Sequence, residues 1–288
     1  MTIIQLLVNA LTLGSIYALA AVGLVLVFKA SDLINFGQGS LVMAGAYVGL
    51  VFLLSGMPLW AVLIVGPVAG GVMGYLLDLL IFRRLSKASA WVFVVASLGV
   101  GGLLHELANA IFQSNLHPFP PLLSTEPQQW LGIYFTAQNL WVPAATLGVV
   151  ACLFLFFEYS KVGKAMQAVA QNRTGAQIVG INLRGILALT WAMSAGISTL
   201  AGLLVAPQVG ISPEMELLGV KGFVAAALGG LNSLSGALIG GLLVAFIEGL
   251  TNTYVTTAFK DVIVFGILLA AMWIKPTGLF GSAMTKRV

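Results

Sequence analysis

Charge is scarce in this chain. Of its 288 residues only 8% are Asp, Glu, Lys or Arg, whereas an ordinary soluble domain carries about 25%. So few charges cannot cover a water-facing surface, and a soluble globular domain is excluded. Cysteine is almost absent: Cys152 stands alone inside an apolar run. That excludes an intrachain disulfide framework and argues against a metal site built on cysteines. The net charge of +4 is small and spread along the loops, a pattern of membrane topology and not of a nucleic-acid footprint. The first apolar run has no basic start and no clear small-residue cleavage site before Lys29, so it reads as a retained helix and not a signal peptide.

Apolar residues fill the place that charge leaves. They make up 59% of the chain, and the mean hydropathy is +1.04, so the solvent for most of the surface is lipid. A helix needs about 20 mostly apolar residues to cross the hydrocarbon core. Runs of that kind fall at 3–28, 40–56, 60–82, 91–114, 140–158, 185–206, 236–257 and 261–275. A shorter apolar piece at 217–230 carries Lys221 and several glycines and either spans or dips in and returns. The expected fold class is all-α: one polytopic helix bundle over 1–288 with about eight spans (range seven to ten), including broken or re-entrant helices. The 34 glycines suit close helix packing in lipid. Gly45 with Gly49, Gly66 with Gly70, Gly70 with Gly74, and Gly236 with Gly240 have the small-xxx-small spacing. At this glycine content some such spacings also arise by chance.

Lys and Arg collect on the cytoplasmic side of a membrane protein. Three clusters are therefore expected inside: Arg83, Arg84 and Lys87; Lys161, Lys164, Arg173 and Arg184; and Lys275, Lys286 and Arg287. The loop from Gln113 to Asn139 has no Lys or Arg but holds Pro118, Pro120, Pro121, Pro127 and Glu126, and should lie outside. So should Pro207 to Glu216. With the C-terminus inside, 207–275 needs an odd number of crossings, which favours counting 217–230 as a span or half of a broken helix. The side of the N-terminus stays open at this point.

The longest polar-rich cytoplasmic segment covers about 158–184, with the sequence EYSKVGKAMQAVAQNRTGAQIVGINLR from Glu158 to Arg184. Ala165 to Gln171 favours helix, Gly163 and Gly175 bracket it, and Thr174 to Val179 forms a second short piece ended by Gly180. Two readings are open: a surface for a soluble partner, or a solvated loop that only joins two spans.

Ionisable groups inside spans are costly and are functional candidates by default. Asp78 sits near an inner helix end, where a structural pairing with Arg83 is the simpler reading. His105-Glu106 begins a His-Glu-x-x-His zinc pattern, but Asn109 takes the second histidine position, so no metal site is expected. Glu248 is more central, in structural hydrogen bonds or in contact with a partner. Polar breaks are the better pathway candidates. Asn35 and Gln38 lie in one glycine-punctuated break, and Asn232, Ser233 and Ser235 in another. Irregular backbone at membrane depth is tolerated where it lines a cavity, and paired broken helices point to a transport site. Ordinary surface turns are the alternative.

Several motifs carry a family resemblance over nearly the whole length. Thr12-Leu13-Gly14-Ser15-Ile16-Tyr17-Ala18-Leu19 is followed by Leu33-Ile34-Asn35-Phe36-Gly37-Gln38-Gly39. Gly163-Lys164-Ala165, Ala168 and Gly180-Ile181-Asn182 come next, then Ala226-Ala227-Leu228-Gly229-Gly230 with Ser235-Gly236-Ala237. The series closes with Tyr254, Lys260-Asp261 and Pro276-Thr277-Gly278. In this order the chain resembles the permease subunits of branched-chain amino acid ABC transporters, which usually read INFAHG where this chain has Gly37 and Gln38.

The resemblance implies an importer in a bacterial inner (cytoplasmic) membrane, fed by a periplasmic binding protein. It implies pairing with a second related permease and with two cytoplasmic ATPase subunits, which would use the ATP and Mg. On the same basis Lys164, Ala165, Gln167, Ala168, Gln171, Asn172, Ala176, Gly180 and Ile181 would carry the ATPase-coupling surface. Asn35, Gln38, Asn232 and Ser235 are the translocation-pathway candidates. The chain has no Gly-x-x-x-x-Gly-Lys-Ser/Thr loop to cradle phosphates, so any ATP used is bound by another chain, and no cofactor is expected here. Cargo alternatives are urea, short amides and aromatic carboxylates. A different class is an ATP-independent channel or secondary carrier. A membrane enzyme is disfavoured, since no nucleophile–base or metal-ligand cluster is visible.

Overall fold

The computed structural model describes residues 3–85, 88–123, 126–130 and 133–281. Lys87, Lys286 and Arg287 of the basic clusters lie outside the described residues. The chain begins with α1 (Ile3–Ser31), α2 (Gln38–Leu54) and α3 (Leu59–Leu77), which runs on through a π-helical turn, Asp78–Phe82. After α4 (Ala90–Phe112) comes a small antiparallel hairpin of β1 (Gln128–Trp130) and β2 (Ile133–Phe135). Then follow α5 (Ala137–Tyr159), two short helices α6 (Lys161–Gln171) and α7 (Arg173–Ile178), and the long α8 (Leu183–Val209). A 3-10 turn, Pro213–Glu216, leads into α9 (Leu217–Gly229). α10 (Leu234–Tyr254) and α11 (Lys260–Ile274) complete the bundle.

Among the described residues seven helical stretches are long and apolar enough to cross a membrane, and α2, with 17 residues, is a shorter apolar eighth. The eight expected runs thus become eight helices, and the 217–230 piece becomes α9. The expectation for 158–184 needs one correction. Gly163 does not bound a helix but lies inside α6, because Ser160 caps the helix by accepting a hydrogen bond from Gly163 N at 2.8 Å. There Gly163 is buried against the end of α5, beside Phe156 and Phe157.

The fold fixes the side of the N-terminus, which the charge pattern leaves open. Gln5 pairs through its amide with Tyr134 N and O at 2.8 and 2.7 Å, so α1 starts beside the β-hairpin of the outer loop. At its other end Arg173 Nη2 donates to Ala30 O at 2.8 Å. With Arg83, Arg84 and Arg173 inside, α1 enters from the outer face. Ile211 forms a backbone bridge with His117 in the outer loop. The backbone after α11 returns to donate from Leu279 N to Leu228 O and from Phe280 N to Gly229 O. Between those points α9 descends, α10 rises and α11 descends, which is an odd number of crossings.

α1 is apolar all round and sits at the centre, packed on α5, α8, α9 and α10. A helix without a polar face belongs in such a position. α8 is wedged between α2 and α3, and here the glycine spacing has a definite use. A Cβ on Gly45 would come within 2.7 Å of Thr199 Cβ, and one on Gly70 within 2.8 Å of the same atom. One turn on, Leu203 fills the space against Gly49 and Gly66. Two glycine faces thus close on the same two residues of one helix, which is how helices gain dispersion contact where lipid offers no hydrophobic drive. Gly45→Val should overpack this seam at a cost of about 1–3 kcal/mol. Thermal unfolding of the purified protein in detergent should show a lowered midpoint, while Gly148→Ala, where nothing lies within 4 Å, should leave it nearly unchanged.

Candidate functional site

The site begins where α1 ends. Asp32 adopts φ of 52°, a left-handed conformation uncommon outside glycine, and turns the chain back into the bundle. Asp32 N still closes the last turn of α1 on Phe28 O, and residues 33–36 then run outside any helix until Gly37 O accepts from Leu41 N at the start of α2. Gln38 Nε2 donates to Ser198 Oγ at 2.6 Å and to Ala20 O at 3.4 Å. Ala20 lies roughly 16 Å from the inner end of α1 at a rise of about 1.5 Å per residue, so α2 begins at membrane depth.

Non-helical backbone at that depth requires internal partners, and side chains supply them. Asn35 Oδ1 accepts from Gly37 N at 3.0 Å, and Asn35 Nδ2 donates to Gln38 Oε1 at 3.2 Å. Ser194 Oγ donates to Gly23 O at 2.7 Å and lies 3.3 Å from Gln38 Oε1. Phe36 N donates to Ser97 Oγ at 3.2 Å. Asn35 and Gln38 are 2% and 1% exposed, and their polar atoms are occupied in tying the break to α1 and α8.

A second break faces the first, and it corrects the expectation that Pro207 to Glu216 lies outside as a whole, since its end at Glu216 is packed against Gly39 at membrane depth. The 3-10 turn at Pro213–Glu216 enters α9 beside the start of α2, where Gly39 and Gly219 touch backbone to backbone. Between the breaks and α4 opens a cavity of about 720 Å³. Asn35, Gln38, Ser40, His105, Glu106 and Glu216 form its polar part. Asn232 and Ser235 are not brought to it. They lie at the inner turn between α9 and α10, where Ser233 caps α10 by accepting from Gly236 N at 3.0 Å, and Ser233 and Ser235 hydroxyls meet at 3.2 Å. The two breaks of the sequence pattern therefore sit at different depths.

The remaining ionisable groups find partners across the bundle. Asp78 is 3% exposed and pairs with Arg83 Nη2 at 3.3 Å, as its place near an inner helix end suggests. Glu248 accepts from Tyr17 Oη at 2.8 Å and lies 3.6 Å from Lys221 Nζ and 3.5 Å from Lys260 Nζ. Lys221 also bonds Asp261. This network ties α9 to α1, α10 and α11 within the subunit. Only tertiary contact could reveal it, since its members are separated widely in sequence.

At the inner end α6 and α7 form a platform. Met166, Val169, Ala176 and Ile186 make a small core beneath it, with Ile181 packed against them. Of the expected coupling residues, Lys164, Gln167, Gln171, Asn172 and Gly180 are exposed. Ala165, Ala168 and Ile181 are half-buried, and Ala176 points inward. Asn172 closes α6 and caps α7, accepting from Gly175 N at 2.8 Å. Ile178 and Val179 are the most exposed large apolar residues of the platform, at 80% and 74%, and they stand outside the expected coupling set. The available signal was an apolar pair inside a polar loop, just before a glycine that adopts φ of 85°.

A bundle of apolar helices with two breaks around a membrane-depth cavity, and a helical platform at its inner end, defines a polytopic transport subunit. The chain belongs to the family described as the branched-chain amino acid transport system / permease component, whose model matches residues 6–272. It is a permease component of the ABC type, and permeases of this family work with ATPase and binding-protein components. It is 29% identical to the high-affinity branched-chain amino acid transport system permease protein LivH of Escherichia coli (strain K12), covering 99% of this chain and 97% of that protein. It is 30% identical to a probable branched-chain amino acid transport permease protein LivH of Methanocaldococcus jannaschii, covering 96% of this chain and 92% of the relative. Among solved structures, PsaBC from Streptococcus pneumoniae in complex with Fab shares the fold, with a TM-score of 0.51 at 13% identity over 96% of this chain and 93% of that one.

Lys221 and Glu248 are the buried members of the network, while Asp261 and Lys260 reach solvent and Lys260 still faces Glu248 when Lys221 is removed, so the loss stays below the ~3–5 kcal/mol of a fully buried pair. Lys221→Met should still lower the thermal midpoint beyond the effect of Lys161→Met on the exposed platform. Restoration of most of the loss in a Lys221→Arg variant would assign the effect to charge.

Proposed function

We propose that this chain is one of two related permease subunits of an importer for branched-chain or related amino acids. A periplasmic binding protein delivers the substrate at the outer face of the inner membrane. Two cytoplasmic ATPase subunits hold the ATP and Mg and drive the cycle. The observation that carries this reading is the exposed Ile178–Val179 turn on a packed helical platform, which suits the grip of a soluble partner. The family membership and the near full-length similarity to branched-chain amino acid permeases support the cargo.

The platform is joined to the cavity by a short chain of contacts. Arg173, the first residue of α7, donates to Ala30 O and lies 3.7 Å from Asp32, where the first break begins. A push on the platform is therefore applied to the segment that carries Asn35 and Gln38. In this reading those two residues line the substrate's passage, and Asn232 and Ser235 stand at the inner end of the same broken-helix unit.

Uptake of labelled leucine into proteoliposomes containing the complex purified from native membranes is the direct test. ATP inside the vesicle and loaded binding protein outside should both be required. Uptake that proceeds without ATP would replace the importer with a channel or carrier. Ile178→Asp and Val179→Asp place a charge on the proposed docking turn. At an interface hot spot such a change costs about 2 kcal/mol or more, roughly a thirtyfold loss of affinity. Co-purification of the ATPase should fall accordingly, while the thermal midpoint of the isolated permease stays unchanged.

A further inference from the structure

We propose that Glu216 selects the substrate by charge: its carboxylate receives the ammonium group of the passing molecule, and the cavity reads that group without reading a carboxylate. This rests on the transport reading above. The cavity, at about 720 Å³, has the size of a small-molecule site. Phe36, Leu98, Val220, Phe223 and Phe265 give it an apolar wall suited to a hydrocarbon side chain. Opposite stand the polar groups, and no lysine or arginine is among its lining residues. Lys221 belongs to the same helix as Val220 but is engaged by Glu248 and Asp261.

The polar groups differ in what they have left to offer. Asn35 and Gln38 spend their amides on the break. Glu216 does not spend all of its carboxylate. Its Oε2 accepts from Ser40 Oγ at 3.4 Å and lies 3.1 Å from His105 Nδ1. Its Oε1 has no partner among the described residues. α2 and α4 thus hold the carboxylate from one side and leave one oxygen at the cavity wall. A carboxylate within a membrane is expensive and is kept where it acts. Glu106 also lines the cavity, but no hydrogen bond or ion pair among the described residues holds it there as α2 and α4 hold Glu216. Glu214, in the same 3-10 turn but not among the lining residues, serves as the comparison position.

An ammonium with an apolar tail fits this wall. A polyol leaves the oxygen without its cation, and an apolar carboxylate meets a like charge. Two measurements on the assembled complex test the assignment. In proteoliposomes with the binding protein present, Glu216→Gln should lower ATP-driven leucine uptake by about tenfold or more, with ATP hydrolysis preserved. Glu216→Asp should restore part of the flux, and Glu214→Gln, outside the cavity, should leave most of it. Without the binding protein, millimolar isoamylamine should raise the thermal midpoint of the wild-type permease–ATPase complex. 4-Methylpentanoate should not, and Glu216→Gln should abolish the amine's effect. Wild-type flux in Glu216→Gln, or equal midpoint shifts from the amine and the acid, would overturn the assignment while leaving the importer intact. If wild type shows no ATP-driven uptake, the importer reading fails instead, and the amine shift still decides the role of Glu216. Should Glu216→Gln fail to assemble, Glu216→Asp and the wild-type shifts decide it.

Discussion

Lipid offers no hydrogen bonds, and this structure is arranged around that constraint. Wherever the backbone leaves a helix at membrane depth, its amides and carbonyls must be satisfied by the protein itself. The break between α1 and α2 meets the requirement with Asn35, Gln38, Ser97, Ser194 and Ser198, which are drawn from four separate helices or breaks. Once those bonds are made, the start of α2 is fixed at the level of Ala20, the second break is seated against Gly39, and the cavity between them follows.

The packing around the breaks uses two devices suited to lipid. Glycine faces on α2 and α3 let α8 approach until Thr199 and Leu203 fill the space, and α8 carries the serines that the first break needs. Charge does the corresponding work on the other side. Lys221, Lys260, Glu248, Asp261 and Tyr17 form one connected group that ties α9 into the bundle. Such a group is costly to bury but costlier to break in part, so it specifies where α9 sits. α9 is thus held by backbone contact at Gly39, by ions at Lys221 and by the returning chain at Leu228 and Gly229.

Much of this was legible in the residues because membrane helices announce themselves by length and apolarity. The eight runs, the basic inner loops and the odd number of crossings after Pro207 are consequences of composition along the chain. Gln38 and Asn35 stood out because two amides interrupt an apolar sequence. The hairpin at Gln128–Phe135 did not stand out, since strands of 3 residues carry no periodic signal. Ile178 and Val179 carry no such signal, because an apolar pair in a loop reads as filler until its exposure is known. Glycine usually ends helices, so the residues place a boundary at Gly163, whereas in the fold Ser160 caps α6 first and Gly163 serves a close contact.

Composition along the chain by itself determined that this protein lives in a membrane, that it is a helix bundle, and, through where Lys and Arg fall, which face of it is inner. These are properties of local composition weighed against a fixed solvent. The side of the N-terminus, the different depths of the two polar breaks, the pairing of Glu216 with His105 and the grouping of Lys221, Glu248, Lys260 and Asp261 were decided only by tertiary structure. Each depends on residues far apart in sequence meeting at one depth, and that depth is set by how the helices pack.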